Sequence, residues 1–509
     1  MTLHITNQDA LSSSTFSFFE NLPIELLAHV FCSLQAPVEF QTCRNISRRF
    51  RHVASVQWHT LRVGRENPTH ILELLARLSL SLRGLIFTSA EGLSDGPLMS
   101  FLPEYGKALE VFAAPASDLT DLSVEVLAHS CPRLTRVDLS RSGRITDKGL
   151  EALLLHSAVE DLGLSFCRAV LGPGFGALAR RGSTHPLRRL GFGAPSFKRD
   201  LLDRPRFTEE SFAMLARYCP RLASLDVHGR VLGDGAGLRS LRELELLELL
   251  LESCTLTSLV PLGDLLSEQG GLRTLAMADT VPQLAEGPLV AGLGLGRCPL
   301  RVFRPPGSFT DGGLEQLLAG CPASLTELDL SATQCRAEWS CGALWAHCLA
   351  LRRLVMPPLL SQASVEALLH EPPPFLEILT LRTYGDLADE GLGPLFARGL
   401  FLRLAELTVQ AARATHRILE PLHSRAHFAA HFPALRSLVF LPGSSWASPA
   451  TLRPLLDATT TTAPAAPAPA APGKRRGPSL TFFYTPCQPA QELAPLLAQY
   501  GVSVPPAWA

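Results

Sequence analysis

The sequence predicts an α/β fold: a curved array of short parallel strands on a concave face and helices on a convex face, preceded by a small helical hairpin. Three observations predict it. The pattern L-x-x-L-x-L recurs, mostly with a step of about 25 to 28 residues, through much of the 509-residue chain. Segments with apolar residues at helical spacing follow the copies. The chain is too long for one ordinary compact core, yet it is 46% hydrophobic and 18% charged, which fits a folded repeat array.

The first element is the segment from Phe19 to Leu34. Pro23 suits the first turn of a helix, where a missing N–H costs nothing. Leu26, Leu27, Val30, Phe31 and Leu34 then form an apolar stripe at helical spacing. A second helical pattern runs from Cys43 to Ala54, and Trp58-His59-Thr60-Leu61 closes the unit. Roughly 40 residues bury little core alone, so such a hairpin needs neighbours or a partner. Its Arg44, Arg48, Arg49 and Arg51 form either a surface for an acidic partner or a solvated helix face.

This order, L-P-x-E-L-L-x-x-V-F-x-x-L, then a basic helix ending R-R-F-R-x-V-A, then W-x-T-L, resembles the F-box. The resemblance implies that the hairpin binds the Skp adaptor of a cullin-RING ubiquitin ligase. The positions that would bind it are Leu22, Pro23, Glu25, Leu26, Val30, Phe31, Leu34, Ile46, Phe50 and Trp58. The chain departs from the family pattern in three places. Pro37-Val38-Glu39-Phe40 replaces an Asp-Leu, Ile46-Ser47 replaces a Val-Cys, and Phe50 replaces a Trp.

Next comes the array. Clear copies of the repeat begin at Leu82, Leu134, Val159, Leu222, Leu246, Leu272, Leu325, Leu351, Leu376, Leu404 and Leu435. Weaker copies lie at Leu109/Phe112, Leu187/Leu190/Phe192 and Leu300/Phe303. Each is a short strand with inward apolar residues and outward variable ones. The following half is helical, most clearly at Ile145–Leu154, where Thr146 or Asp147 can cap and Leu150, Leu153 and Leu154 face inward. Phe309–Leu314 and Leu387–Leu392 repeat that pattern. The run C-P-x-L…L-D-L-S…I-T-D-x-G-L from Cys131 to Leu150 is similar to the cysteine-containing leucine-rich repeats, which in that family commonly follow an F-box. One continuous solenoid from about Leu82 to Leu441 is expected.

The chain is thus divided into a flexible N-terminus (1–17), an F-box (18–62), a leucine-rich-repeat solenoid (63–456), a Thr/Ala/Pro-rich linker (457–478) and a C-terminal cap segment (479–509). The linker's composition builds no core. Its Lys474-Arg475-Arg476 is either a nuclear-import signal or a solvated stretch. Leu480–Tyr484 and Leu493–Leu497 would restore a last strand and helix. Gly193–Phe207 lengthens one repeat, either as a partner-binding loop or as a tolerated insertion.

No catalytic chemistry is expected. There is no H-E-x-x-H or G-x-S-x-G. The G-x-G at Gly292–Gly296 lacks a phosphate loop's Lys and is read as a turn between helix and strand. The 12 cysteines contain no C-x-x-C, and Cys335 with Cys341 lacks a second pair, so neither metal nor cofactor is expected. Cys131, Cys219, Cys298 and Cys321 recur before Pro and read as buried reduced thiols, consistent with an expected location in the cytoplasm or nucleus. Cys167 and Cys254, three residues past the last strand Leu, read as structural hydrogen-bond donors. Net charge is −1, which gives no support for nucleic-acid or membrane binding. No apolar run of about 18 residues is present, and Met1–Ser17 lacks the basic start of a secretory signal.

Specificity is therefore sought on the outward strand positions. They include Arg136, Asp138, Asp161, Asp226, His228, Glu248, Glu252, Arg304, Glu327, Asp329, Arg353, Arg382 and Glu406, with Val355, Ile378 and Val439 nearby. Of these, Arg136, Asp138, Asp226, His228, Arg304, Asp329 and Arg382 are the candidate substrate contacts. They suit a protein partner of mixed chemistry, or are plain solvated strand surface. The leading expectation is a substrate-recognition subunit of a Skp–cullin–F-box ubiquitin ligase, not itself an enzyme. The alternatives are an F-box protein that recruits no degradation substrate, and a leucine-rich-repeat scaffold whose hairpin is only a cap.

Overall fold

The computed structural model describes residues 60–64, 67–78, 82–194, 206–281, 284–294, 299–320, 323–335, 345, 348–370, 372–383, 387, 389–399, 401–411, 416–423, 425–442 and 479–481. The expected hairpin up to His59, the tip of the Gly193–Phe207 insertion and the linker lie outside the described residues. The chain forms two compact units, Met1–Asp226 and Val227–Ala509.

In the first unit, strands β1 (Thr60–Val63), β2 (Gly84–Phe87), β3 (Val111–Ala113), β4 (Arg136–Asp138), β5 (Asp161–Gly163), β6 (Arg189–Gly191) and β7 (Ser224–Asp226) pair in chain order, all parallel. Helices α1 (Pro68–Leu78), α2 (Asp95–Tyr105), α3 (Asp121–Ser130), α4 (Asp147–His156), α5 (Ala177–Arg181) and α6 (Glu209–Tyr218) return the chain between them. Thr60 and Leu61, attached to the hairpin by the sequence pattern, belong to the first strand of the array. The weak copies at Leu109 and Leu187 are full repeats.

The second unit carries β8 (Val231–Gly233), β9 (Glu248–Leu250), β10 (Thr255–Leu256), β11 (Thr274–Ala276), β12 (Val302–Arg304), β13 (Glu327–Asp329), β14 (Arg353–Val355), β15 (Ile378–Thr383), β16 (Glu406–Ala411), β17 (Ser437–Pro442) and β18 (Ser479–Thr481). From β9 through β18, with β10 set aside, the strands again pair in order and parallel, while β8 and β10 form a separate pair. The returning helices are α7 (Val260–Glu268), α8 (Gly287–Gly294), α9 (Asp311–Gly320), α10 (Gln362–His370), α11 (Asp389–Arg398) and α12 (Arg425–His431). Parallel strands paired in chain order, with helices returning the chain between most of those described, are the architecture of leucine-rich repeats.

The Leu ladder is the core. Leu85, Phe112, Val137, Leu162, Leu190 and Leu225 sit in register and are buried, as are Leu249, Leu275, Phe303, Leu328, Leu354, Leu379, Leu407 and Leu438 in the second unit. The ladder continues past each strand through the backbone. Ala116, Arg141 and Phe166, three residues beyond β3, β4 and β5, adopt φ of 59°, 64° and 65°. That left-handed turn aims their N–H groups at Ser140, Ser165 and Gly193 carbonyls of the next repeat, at 2.8, 2.8 and 2.6 Å. Side chains in the following position are small, polar and buried: Ser117, Ser142 and Cys167, then Cys254, Thr280 and Thr333. The Cys167 thiol donates to Leu139 O at 3.1 Å and that of Cys254 to Val227 O at 3.2 Å, both in the preceding repeat. The structural role read from their spacing holds.

The T-D-x-G-L pattern is a lock between repeats. Thr146 is the N-cap of α4, its hydroxyl accepting from Lys148 N. Asp147 does not cap its own helix but accepts from Leu171, Gly172 and Gly174 N–H of the next repeat, at 3.0, 2.9 and 3.0 Å. Asp121 likewise accepts from Thr146 N, Thr146 Oγ1 and Gly149 N at 2.8, 2.6 and 3.0 Å, and Asp95 from Thr120 and Ser123. Glycine is required at 149 because a Cβ there would lie 2.7 Å from Asp121 Oδ1. Asp121→Ala removes the acceptor of three bonds, two of them from backbone N–H groups at the start of α4. About 2 kcal/mol of local stability should be lost, on the scale of a deleted cap or charged acceptor. Faster amide exchange at Gly149 and Leu150 would show it, and unchanged exchange would refute the lock.

The Gly292 segment corrects the expectation of a turn. Gly292 and Gly294 lie inside α8. A Cβ on Gly292 would come 3.0 Å from Gly263 Cα on α7, and one on Gly263 would come 2.9 Å from the Pro288 carbonyl carbon. The glycines let two helices pack backbone to backbone, a need that local sequence does not reveal. The Gly193–Phe207 insertion is pinned at both ends: Phe192, Ala194 and Phe207 are buried, and Phe207 packs edge-on against Phe175, Phe192 and Phe212 at 5.6, 5.5 and 4.6 Å.

Candidate interaction surface

Strand residues alternate. The central residue of each triplet enters the core, so the first and third face away from it and form two rows across each unit. The adaptor-binding candidates, Leu22, Pro23, Glu25, Leu26, Val30, Phe31, Leu34, Ile46, Phe50 and Trp58, lie outside the described residues.

In the first unit, one row runs Val111, Arg136, Asp161, Arg189, Ser224 in register. Asp161 Oδ2 is held from both sides, by Arg136 Nε at 3.1 Å and by Arg189 NH2 at 2.9 Å. Both guanidiniums are more than half exposed, so each contact contributes about 1 kcal/mol at most. Their value is positional: the carboxylate orients two forked donors with other N–H groups left for solvent or a partner. The second row runs Ala113, Asp138, Gly163, Gly191, Asp226. Asp138 Oδ1 accepts from Ser140 N at 3.0 Å and leans over Gly163, where a Cβ would lie 2.8 Å away. The structure thus brings Arg136 and Asp161 together and adds Arg189, which the sequence reading passed over, while Asp138 lies in the second row beside Gly163. The signal for it was present, since Arg189 directly precedes Leu190 in a weak copy of the repeat.

In the second unit, Val302, Phe303, Arg304, Glu327, Leu328, Asp329 and Arg353 line a shallow depression over β12, β13 and β14. Arg304 donates to Glu252 Oε1 at 2.8 Å. That bond, with the fields of Glu252, Asp329 and Glu327, holds the guanidinium's pKa above its ordinary value although burial works against it. Asp329 Oδ1 accepts from Ser331 N at 3.0 Å. Arg353 is the register neighbour of Glu327. Arg382 and Glu406 are exposed on β15 and β16, outside the depression. His228 is half-buried just after Val227, ahead of β8. Arg304 and Asp329 are therefore brought together, while Arg382 and His228 stand apart from the depression.

The buried thiols are poor nucleophiles. Burial pushes Cys131 and Cys219 up to about 12 and Cys348 up to about 11, so they stay protonated at neutral pH. Among the described residues, no group of three or more His, Cys, Asp or Glu is placed to hold a metal ion. Also among them, no helix is long and apolar enough to cross a membrane.

No protein-family model matches the chain, and no curated protein does. Solved structures with a similar chain course include an internalin (inlF) from Listeria monocytogenes. It is 12% identical, over 70% of this chain and 99% of that one, with a TM-score of 0.39. Another is the Rad7 and Elc1 complex of yeast, 14% identical over 87% and 82%, with a TM-score of 0.30. At this identity and overlap neither speaks to function.

Proposed function

We propose that this leucine-rich-repeat chain is the substrate-recognition subunit of a Skp–cullin–F-box ubiquitin ligase, with no catalytic step of its own. Its hairpin would hold the Skp adaptor, and its strand rows would hold a protein substrate. One observation carries the reading: the core positions repeat as Leu, Val and Phe, while the outward rows change charge and size from strand to strand. Interchangeable core residues cannot distinguish partners, but a non-repeating polar surface can. The F-box pattern from Leu22 to Trp58 supplies the link to the ligase, and bringing substrate to the ligase by proximity is then the chain's whole contribution. The reading places the protein in the cytoplasm or nucleus.

A parallel pull-down of adaptor and substrate tests it. Truncating a hot-spot residue of a packed interface costs about 2 kcal/mol or more. Leu22→Ala with Pro23→Ala should therefore abolish Skp-adaptor capture and leave the repeats folded. Charge reversal at Asp226 and Asp329, or at Arg382, should weaken substrate binding and leave the adaptor bound. Adaptor capture that survives the hairpin changes would refute the hairpin as the adaptor site, and absence of the adaptor from the wild-type pull-down would refute the ligase role and leave a leucine-rich-repeat scaffold.

A further inference from the structure

The residue just before each strand forms a third row, at the edge where the strands start. Its backbone position is constant: the carbonyl accepts two N–H groups from the next strand. Wherever else two charged residues are neighbours in this row, they have opposite sign and pair. Arg83 meets Glu110 at 3.9 Å, Glu160 meets Arg188 at 3.3 Å, and Arg352 meets Glu377 at 2.7 Å. Arg273 and Arg301 break the rule. They are adjacent, Arg301 N donating to Arg273 O at 2.7 Å, and both are exposed.

Among the described residues, neither makes an ion pair. The strand carboxylates nearest by register are Glu248, opposite Thr274, and Glu327, opposite Val302, and among the described residues neither is ion-paired with Arg273 or Arg301. The two residues before each, Gly271-Leu272 and Pro299-Leu300, bring no charge. Two like charges on neighbouring strands destabilise a sheet, and the strands lie only about 4.8 Å apart. An oxyanion placed between two guanidinium forks reverses that cost, because each fork offers parallel N–H donors.

We propose that Arg273 and Arg301 form an oxyanion-binding pair that docks an acidic segment of a protein partner, through its carboxylates or through a phosphorylated side chain. The site lies on the strand-start edge of the second unit, and it does not depend on the outward rows or on the F-box reading.

The test uses the full chain and two fluorescein-labelled peptides, one of alternating Gly and Glu, the other with phosphoserine in place of Glu, read by anisotropy. Wild type should bind at least one, and binding phosphoserine alone identifies phosphate as the recognised group. Arg301→Glu recreates the opposite-sign pair found elsewhere in the row. It should weaken binding about tenfold or more, as losing a charge-assisted contact does, with a melting temperature no lower than wild type. Arg352→Ala, which removes an already paired arginine, should leave binding unchanged. The proposal is overturned if neither peptide binds, if Arg301→Glu binds as wild type does, or if Arg352→Ala loses as much.

Discussion

Leu328→Asp unfolds the middle of the second unit. Leu328 is fully buried and lies in register between Phe303 and Leu354. Removing a buried Leu costs about 2 to 5 kcal/mol. The carboxylate that replaces it points into the apolar ladder between Phe303 and Leu354, so it either stays buried and unpaired there or takes up a proton at further cost. Together these exceed about 5 kcal/mol, the scale of a severe core lesion. Each repeat leans on its neighbours, so the damage should begin locally. Hydrogen exchange should show protection lost first across β12, β13 and β14. Leu328→Asn separates the two causes, since its stability carries no carboxyl titration. A Leu328→Asp chain with native protection over 302–355 would refute the description of this ladder as core.

How much of this could be read without coordinates depends on whether a residue's partner is local. The Leu positions were readable because every repeat asks the same of them, and even the weak copies at Leu109, Leu187 and Leu300 became strands. Thr146 was readable as a cap because its partner is Lys148, two residues on. Asp121 was not, because its partners lie 25 and 28 residues away and are reached only through the register of the array. Gly292 looked like a turn for the same reason: its constraint is the α7 backbone. On the outward rows, alternation identified the exposed positions, but only the register shows that Asp161 lies between two arginines and that Arg273 faces Arg301.

His185 shows the same limit and makes the stability of the first unit depend on pH. It sits between α5 and β6, buried at 1% exposure, and neither ring nitrogen makes a well-formed hydrogen bond, the Ser157 backbone offering only a weak one. Its backbone N–H is tied to Tyr218 O at 2.7 Å, which fixes the main chain that carries the buried ring. Burial chiefly, and the nearby Arg181 guanidinium, push its pKa from 6.5 down to about 4, the Ser157 backbone opposing them only in part. Arg181 cannot easily move away, since its NH1 holds the Leu154 and Ser157 carbonyls at 2.8 and 2.6 Å. The sign follows from proton counting. Between pH 6.5 and about 4 the unfolded chain binds a proton that the folded chain refuses, so acid favours unfolding across that window. The shift corresponds to about 3 kcal/mol, fully present above pH 6.5 and fully lost below about 4. Asp95 acts in a lower window. Burial alone would raise its carboxyl, but Ser123, Thr120 and Arg144 together hold it below 3.8, so its contribution is lost only as pH falls through that lowered value. The chain has 15 histidines, so the difference between wild type and His185→Met isolates this one. Urea unfolding from pH 7 to pH 4 should show wild type losing about 3 kcal/mol more than the variant. Parallel loss in the two proteins would mean that His185 is protonated within the fold.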